Sequence, residues 1–143
     1  MPDPTAVDPV TRSPSRPGRA PEPGIALCLS GGGYRAMLFH VGSLWRLNEL
    51  GYINKLNRVS SVSGGSITAG RLALSWPRLA FDPDGIARQF EAELVRPIRN
   101  MASHTIDRTA ILTKMLLPGP VSERVAAAYR EHLFDDATLQ DLP

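Results

Sequence analysis

Cysteine is almost missing from this chain. Cys28 is the single one, so no disulfide can close within the sequence and no cysteine-based zinc site can be assembled. Set among Ala26, Leu27 and Leu29, it is expected to be a buried strand residue. Long apolar runs are missing as well: no stretch approaches the roughly 18 residues that a membrane-spanning helix needs, and the N-terminus has no apolar signal core. The expectation is a cytoplasmic protein, with peripheral contact to a membrane surface allowed. Lysine occurs only at Lys55 and Lys114, and the arginines that supply the other cations are scattered singly. With a net charge of +2 and no basic cluster, nucleic acid is not an expected partner. Acidic side chains are absent between Glu49 and Asp82, a gap that matters below.

What is present is ordinary for a globular protein: 43% apolar and 21% charged residues in 143 positions, enough for one domain or part of one. Proline is unevenly spread. Seven of the thirteen prolines fall in residues 1–24, among polar residues with little to bury, so this stretch is expected to be a disordered leader without a binding role. Residues 25–143 are left as the folded part.

Ile25 to Leu29 is an unbroken apolar run, as expected of a parallel strand buried on both faces. Directly after it come Ser30, Gly31, Gly32, Gly33, Tyr34 and Arg35. Three successive glycines are entropically expensive, but they allow positive φ and leave N–H groups uncovered by any Cβ, which suits a nest for a negative oxygen. From Ala36 to Leu50 the residues Met37, Leu38, Val41, Leu44 and Trp45 recur at helical spacing, with Arg46, Asn48 and Glu49 assigned to solvent. Gly51 should end this helix, with Tyr52 or Ile53 folding back on its last turn. His40, within it, is expected to be packed or at the surface rather than catalytic.

A second strand, Arg58 to Val62, runs into Ser63, Gly64 and Gly65 and then into small and apolar residues. Strand, sharp turn and helix in this order lift the turn serine out of the sheet's carboxyl edge and aim the following N–H groups at whatever it attacks. Ser63 is therefore the candidate nucleophile. The common pattern is G-x-S-x-G; here Ser61 stands in the first glycine position and Gly65 in the second. A serine that merely caps the next helix is the competing structural explanation. Small residues at Ser66, Ala69, Gly70 and Ala73 should let that helix lie close on the sheet, and Pro77 should end it.

Beyond Pro77 the pattern is helical. Asp84 is expected to cap a helix over 86–96, Ser103 one over 106–117, and Ser122 one over 125–134. The middle helix ends on Ile111, Leu112, Met115, Leu116 and Leu117, an apolar end that could line an acyl groove or meet a membrane, although packing on the core is the plainer expectation. The fold class is α/β, a parallel sheet with helices on both faces and right-handed connections.

Two glycine-marked turns, each between a strand and a helix, bring two sets of N–H groups to one sheet edge. A nucleophile beside an oxyanion hole, hence acyl transfer, explains both. The residues Ser30 to Ala36 together with Ser61 to Gly65 resemble the patatin-like phospholipase family over about Ile25 to Trp76, and faintly over His132 to Pro143. The resemblance implies hydrolysis of lipid acyl esters by a Ser-Asp dyad without cofactor or metal. It implies Ser63 as nucleophile, Gly31, Gly32, Gly33 and Gly64 as oxyanion donors, and Arg35 as the basic residue after the glycines, with Ala36 replacing the glycine usual next. The family's aspartate lies in a downstream Asp-Gly-Gly or Asp-Gly-Ala motif. The sequence offers only Asp84-Gly85-Ile86, which reads as a turn, so residues 25–143 are expected to be the N-terminal part of such a domain, whether a truncated gene, a fragment or a degenerate copy, with its base and later strands expected beyond Pro143.

Other readings stay open. Gly31 to Ala36 also fits the dinucleotide fingerprint, but the acidic residue it requires after the second strand falls in the gap between Glu49 and Asp82. A phosphate-binding P-loop, by contrast, fails for lack of Gly-Lys-Ser/Thr. A Ser-His-Asp hydrolase could draw on Asp107 and His132, though neither follows a recognisable strand. From a different class, the chain could be an inactive interaction module that retains the two loops.

Overall fold

A computed structural model describes residues 23–105 and 121–143. Most of the leader, the middle apolar helix and Asp107 thus lie outside the described residues. Strand β1 (Ile25–Leu29) pairs in parallel with β2 (Leu56–Ser61), Leu27 opposite Val59 and Leu29 opposite Ser61. Helix α1 (Gly33–Glu49) connects them, and α2 (Gly64–Ser75) leaves β2 through the Ser63 turn. Among the described residues the arrangement is a two-stranded parallel sheet flanked by helices, the α/β class that the sequence pattern predicts. After a short bridge between Phe81 and Ala87 come a π turn (Glu91–Val95), α3 (Arg96–Thr105), α4 (Val121–Tyr129) and a second π turn (Arg130–Phe134). No helix among the described residues is long and apolar enough to cross a membrane.

The end of α1 follows from its sequence. Gly51 takes φ +65, donates to Asn48 O at 2.9 Å, and lets Tyr52 N–H reach back to Leu47 O at 2.9 Å, the pair of bonds that closes a helix on a left-handed glycine. Ile53 then folds into the core, fully buried, while Tyr52 stays exposed. That core gathers Met37, Val41 and Leu44 of α1, Leu72 of α2, and Phe90, Leu94 and Ile98 from the later helices.

Several expectations need correction. Leu29 is buried, but Ala26 and Cys28 are exposed. Alternate strand residues face opposite ways, so an apolar run reports that a strand can be covered, not that both of its faces are; among the described residues the Ala26–Cys28 face is open. Leu38 of α1 is exposed, whereas Asn48, assigned to solvent, is buried. Its amide makes a two-way bond with the Ala87 backbone, donating to Ala87 O at 3.1 Å and accepting from Ala87 N at 2.8 Å. Asn48→Ala would leave the Ala87 N–H unpaired in the core, while Ala87 O keeps the Phe90 N–H at 3.3 Å. At about 1–3 kcal/mol for an unsatisfied group, a loss of that size is expected in urea denaturation, and an unchanged midpoint would mean that the Ala87 N–H finds another partner.

Asp84 does not cap a helix. Asp82 holds this turn instead, its Oδ1 accepting from Asp84 N at 3.0 Å and Ile86 N at 2.9 Å while Arg88 pairs with Oδ2. The Ile86 N–H, foremost, keeps the Asp82 carboxyl below its ordinary pKa. Ser103 lies inside α3, its hydroxyl returned to Asn100 O at 2.7 Å, a local bond that competes with a capping role. Helix α4 begins at Val121, before Ser122 rather than after it. Pro97, which would normally break a helix, sits in the first turn of α3 because the carbonyl it cannot serve, Glu93 O, accepts instead from Arg71 Nε and Ser75 Oγ, each at 2.9 Å.

Candidate functional site

The Ser63 turn is the most constrained backbone in the sheet region. Ser63 has φ 52 and ψ −121, outside the comfortable regions for a residue with a Cβ, and it is exposed at the carboxyl end of β2. Although it occupies the position before α2, its side chain makes no capping hydrogen bond. The turn closes through backbone alone, Gly65 N to Val62 O at 3.0 Å and Ser66 N to Ser63 O at 2.8 Å.

Two glycines make this turn possible. A Cβ on Gly65 would stand 2.6 Å from Leu29 O and 2.7 Å from Ser30 O, and one on Gly64 would collide with the Gly33 carbonyl oxygen. Close contact between α2 and the end of β1 therefore falls to Gly64 and Gly65. Further along, Gly70, expected against the sheet, packs on the Phe134 ring.

The first glycine loop reaches the same place from the other strand. Val62 N donates to Leu29 O at 3.0 Å, extending the sheet register to the two turns, and a Cβ on Gly31 would lie 3.3 Å from Ser63 Cβ. Gly32 (φ +138) and Gly33 (φ +63) occupy backbone regions that favour glycine. Gly33 and Gly64 each begin a helix, where N–H groups have no intrahelical acceptor and the helix dipole is positive. Gly31, Gly32, Gly33, Ser63, Gly64 and Gly65 thus form one cluster. Ser61 stands behind it, half-buried and opposite Leu29; Arg35 is exposed on the first turn of α1.

Polar side chains tie the elements around these loops to one another. Thr68 Oγ1, buried in α2, donates to Met37 O of α1 at 3.1 Å. His40, buried rather than surface, meets Ser30 O with Nε2 at 2.9 Å. Tyr34 hydrogen-bonds Tyr129 of α4, whose phenol is pushed above its ordinary pKa first by burial and then by Tyr34. Arg71 Nη1 donates to Leu133 O at 2.8 Å, and burial holds its guanidinium below its ordinary pKa. Helix spacing alone signals none of these, because each depends on a partner that the tertiary fold brings in from another element.

Among the described residues, no carboxylate or imidazole hydrogen-bonds Ser63, and no group of three His, Cys, Asp or Glu side chains converges on a metal position. Asp136 faces Arg130, and Asp141 closes a capping box with Thr138. His132 lies in the π turn after α4. An apolar groove of about 460 Å³ opens one helical turn from the elbow, at Ser66, and runs between Leu74 of α2 and Tyr129 and Phe134; Ser63 itself is not in its lining.

The family model described as patatin-like phospholipase matches residues 27–142 of the chain. No curated protein and no solved structure gave a match.

Proposed function

The chain belongs to the patatin-like phospholipase family, a family of lipid hydrolases, and from that premise we propose that Ser63 is the nucleophile of a serine acyl-ester hydrolase. The observation that carries this reading is the conformation of Ser63: positive φ, exposed, and not used to cap the helix it precedes. A serine kept in a strained turn only for capping would make the capping bond. In the proposed step Ser63 Oγ attacks the ester carbonyl carbon, its proton passes to a base, and the negative oxygen that develops is met by N–H groups of Gly31, Gly32, Gly33 and Gly64. Collapse of the tetrahedral species expels the alcohol with a proton from that base. Water then releases the fatty acid by the same route.

Arg35 is assigned to substrate binding, near an anionic head group, and the acyl chain to the groove that opens at Ser66. Peripheral contact with a membrane would bring lipid to the site. The base is assigned to an aspartate outside the described residues, as the family's Ser-Asp dyad implies. To test the reading, fatty-acid release from phospholipid vesicles is measured with the chain joined to an Asp-Gly-Gly segment of the family. Release that disappears in Ser63→Ala supports the assignment; release that survives it removes Ser63 from the chemistry.

The absence of a base partner among the described residues also favours a second reading, an inactive interaction module that keeps the loops. Dinucleotide binding is not supported, because no acidic residue lies between Glu49 and Asp82, at the end of β2 where one would hold a ribose. Calorimetric titration with NAD and NADP is expected to give no binding heat, and micromolar affinity for either would reverse that choice.

A further inference from the structure

The imidazole of His40 is buried on α1, ten residues past the start of the first glycine loop, and its Nε2 lies 2.9 Å from Ser30 O and 3.4 Å from Ser30 Oγ. A carbonyl oxygen can only accept, so the shorter contact assigns the proton to Nε2. Ser30 O belongs to the peptide that joins Ser30 to Gly31. In a trans peptide the C=O and N–H are fixed in one plane and point in opposite directions, and the chain contains no cis peptide among the described residues. Holding the Ser30 carbonyl toward α1 therefore turns the Gly31 N–H away from α1. Gly65 also borders this peptide, since a Cβ there would stand 2.7 Å from the same carbonyl oxygen, and a Cβ on Gly31 would lie 3.3 Å from Ser63 Cβ.

We propose that His40 is a positioning residue for the first glycine loop: its Nε2–H fixes the Ser30–Gly31 peptide and so sets the direction of the Gly31 N–H beside Ser63. The role of that N–H as an oxyanion donor rests on the acyl-transfer reading above; the peptide clamp does not. Without the imidazole donor this peptide could rotate at small cost, because the glycine on its C-terminal side imposes little barrier. His40→Phe fills the space and removes the donor, whereas His40→Gln can return a side-chain N–H to the carbonyl.

The test is NMR on the full chain. Long-range proton–nitrogen correlation of the wild-type His40 ring is expected to show the Nε2-protonated tautomer. The Gly31 amide resonance should move in His40→Phe and return toward its wild-type position in His40→Gln. A ring protonated on Nδ1, or a Gly31 amide unmoved by the loss of the donor, would overturn the clamp; the ring measurement needs no variant and stands even if His40→Phe does not fold. Fluorophosphonate labelling of the chain joined to the family's aspartate segment, followed in parallel, separates the two claims. Unlabelled Ser63 with both NMR signatures present counts against acyl transfer and supports the clamp.

Discussion

Gly32→Ala is expected to lower kcat on a short-chain ester by about a hundredfold or more, with KM little changed, in the chain joined to the family's aspartate segment. Gly32 sits at φ +138, a conformation that residues with a Cβ rarely adopt, and the added Cβ would approach Ala36 Cβ to 3.1 Å. The loop must then shift, and the N–H groups on either side of it shift with it. Such donors meet the oxygen fully only once negative charge has developed there, so their displacement raises the barrier more than it weakens ground-state binding. Loss of one oxyanion donor is typically worth about 3–4 kcal/mol. A change confined to KM would show that the loop holds substrate instead.

A second large effect concerns the base. The 143-residue chain alone is expected not to hydrolyse p-nitrophenyl butyrate at an enzymatic rate, because a serine hydroxyl needs a positioned acceptor for its proton and none bonds Ser63 among the described residues. Asp82 is held by its own turn, Asp141 by Thr138, and His40 by Ser30. Supplying the aspartate should raise turnover by about 100- to 10,000-fold, the usual range of general-base help. Turnover by the chain alone that vanishes in Ser63→Ala would place the base within these residues, where Asp107 and His132 are the alternatives named by their order along the sequence.

The elements around the two turns were legible in the sequence because glycine placement there has few explanations. Three glycines after a β-rich run, and Ser63-Gly64-Gly65 after another, announce strand-to-helix turns with close backbone approach, and β1, α1, β2 and α2 follow in that order. Gly51 likewise marks the end of α1 through its need for positive φ. What was not legible depends on partners far away in sequence. Asn48 reads as a solvent residue until Ala87 arrives 39 positions later. The helix expected over 86–96 runs on through Pro97 because Arg71 and Ser75 take over the carbonyl of Glu93. Cys28 reads as buried because apolar character does not say which faces of a strand are covered. His40 reads as ordinary packing because nothing in α1 alone reveals that its imidazole reaches back to the loop that begins the helix.

Adduct mapping after reaction with a fluorophosphonate tests the central assignment most directly. The probe places a phosphonyl group on an activated serine and its P=O where an oxyanion would lie, and digestion followed by mass spectrometry reports which serine carries it. In the chain joined to the aspartate segment, the account predicts a single adduct on Ser63 and none in Ser63→Ala. An adduct on Ser61 or Ser66, or labelling that survives Ser63→Ala, would contradict it.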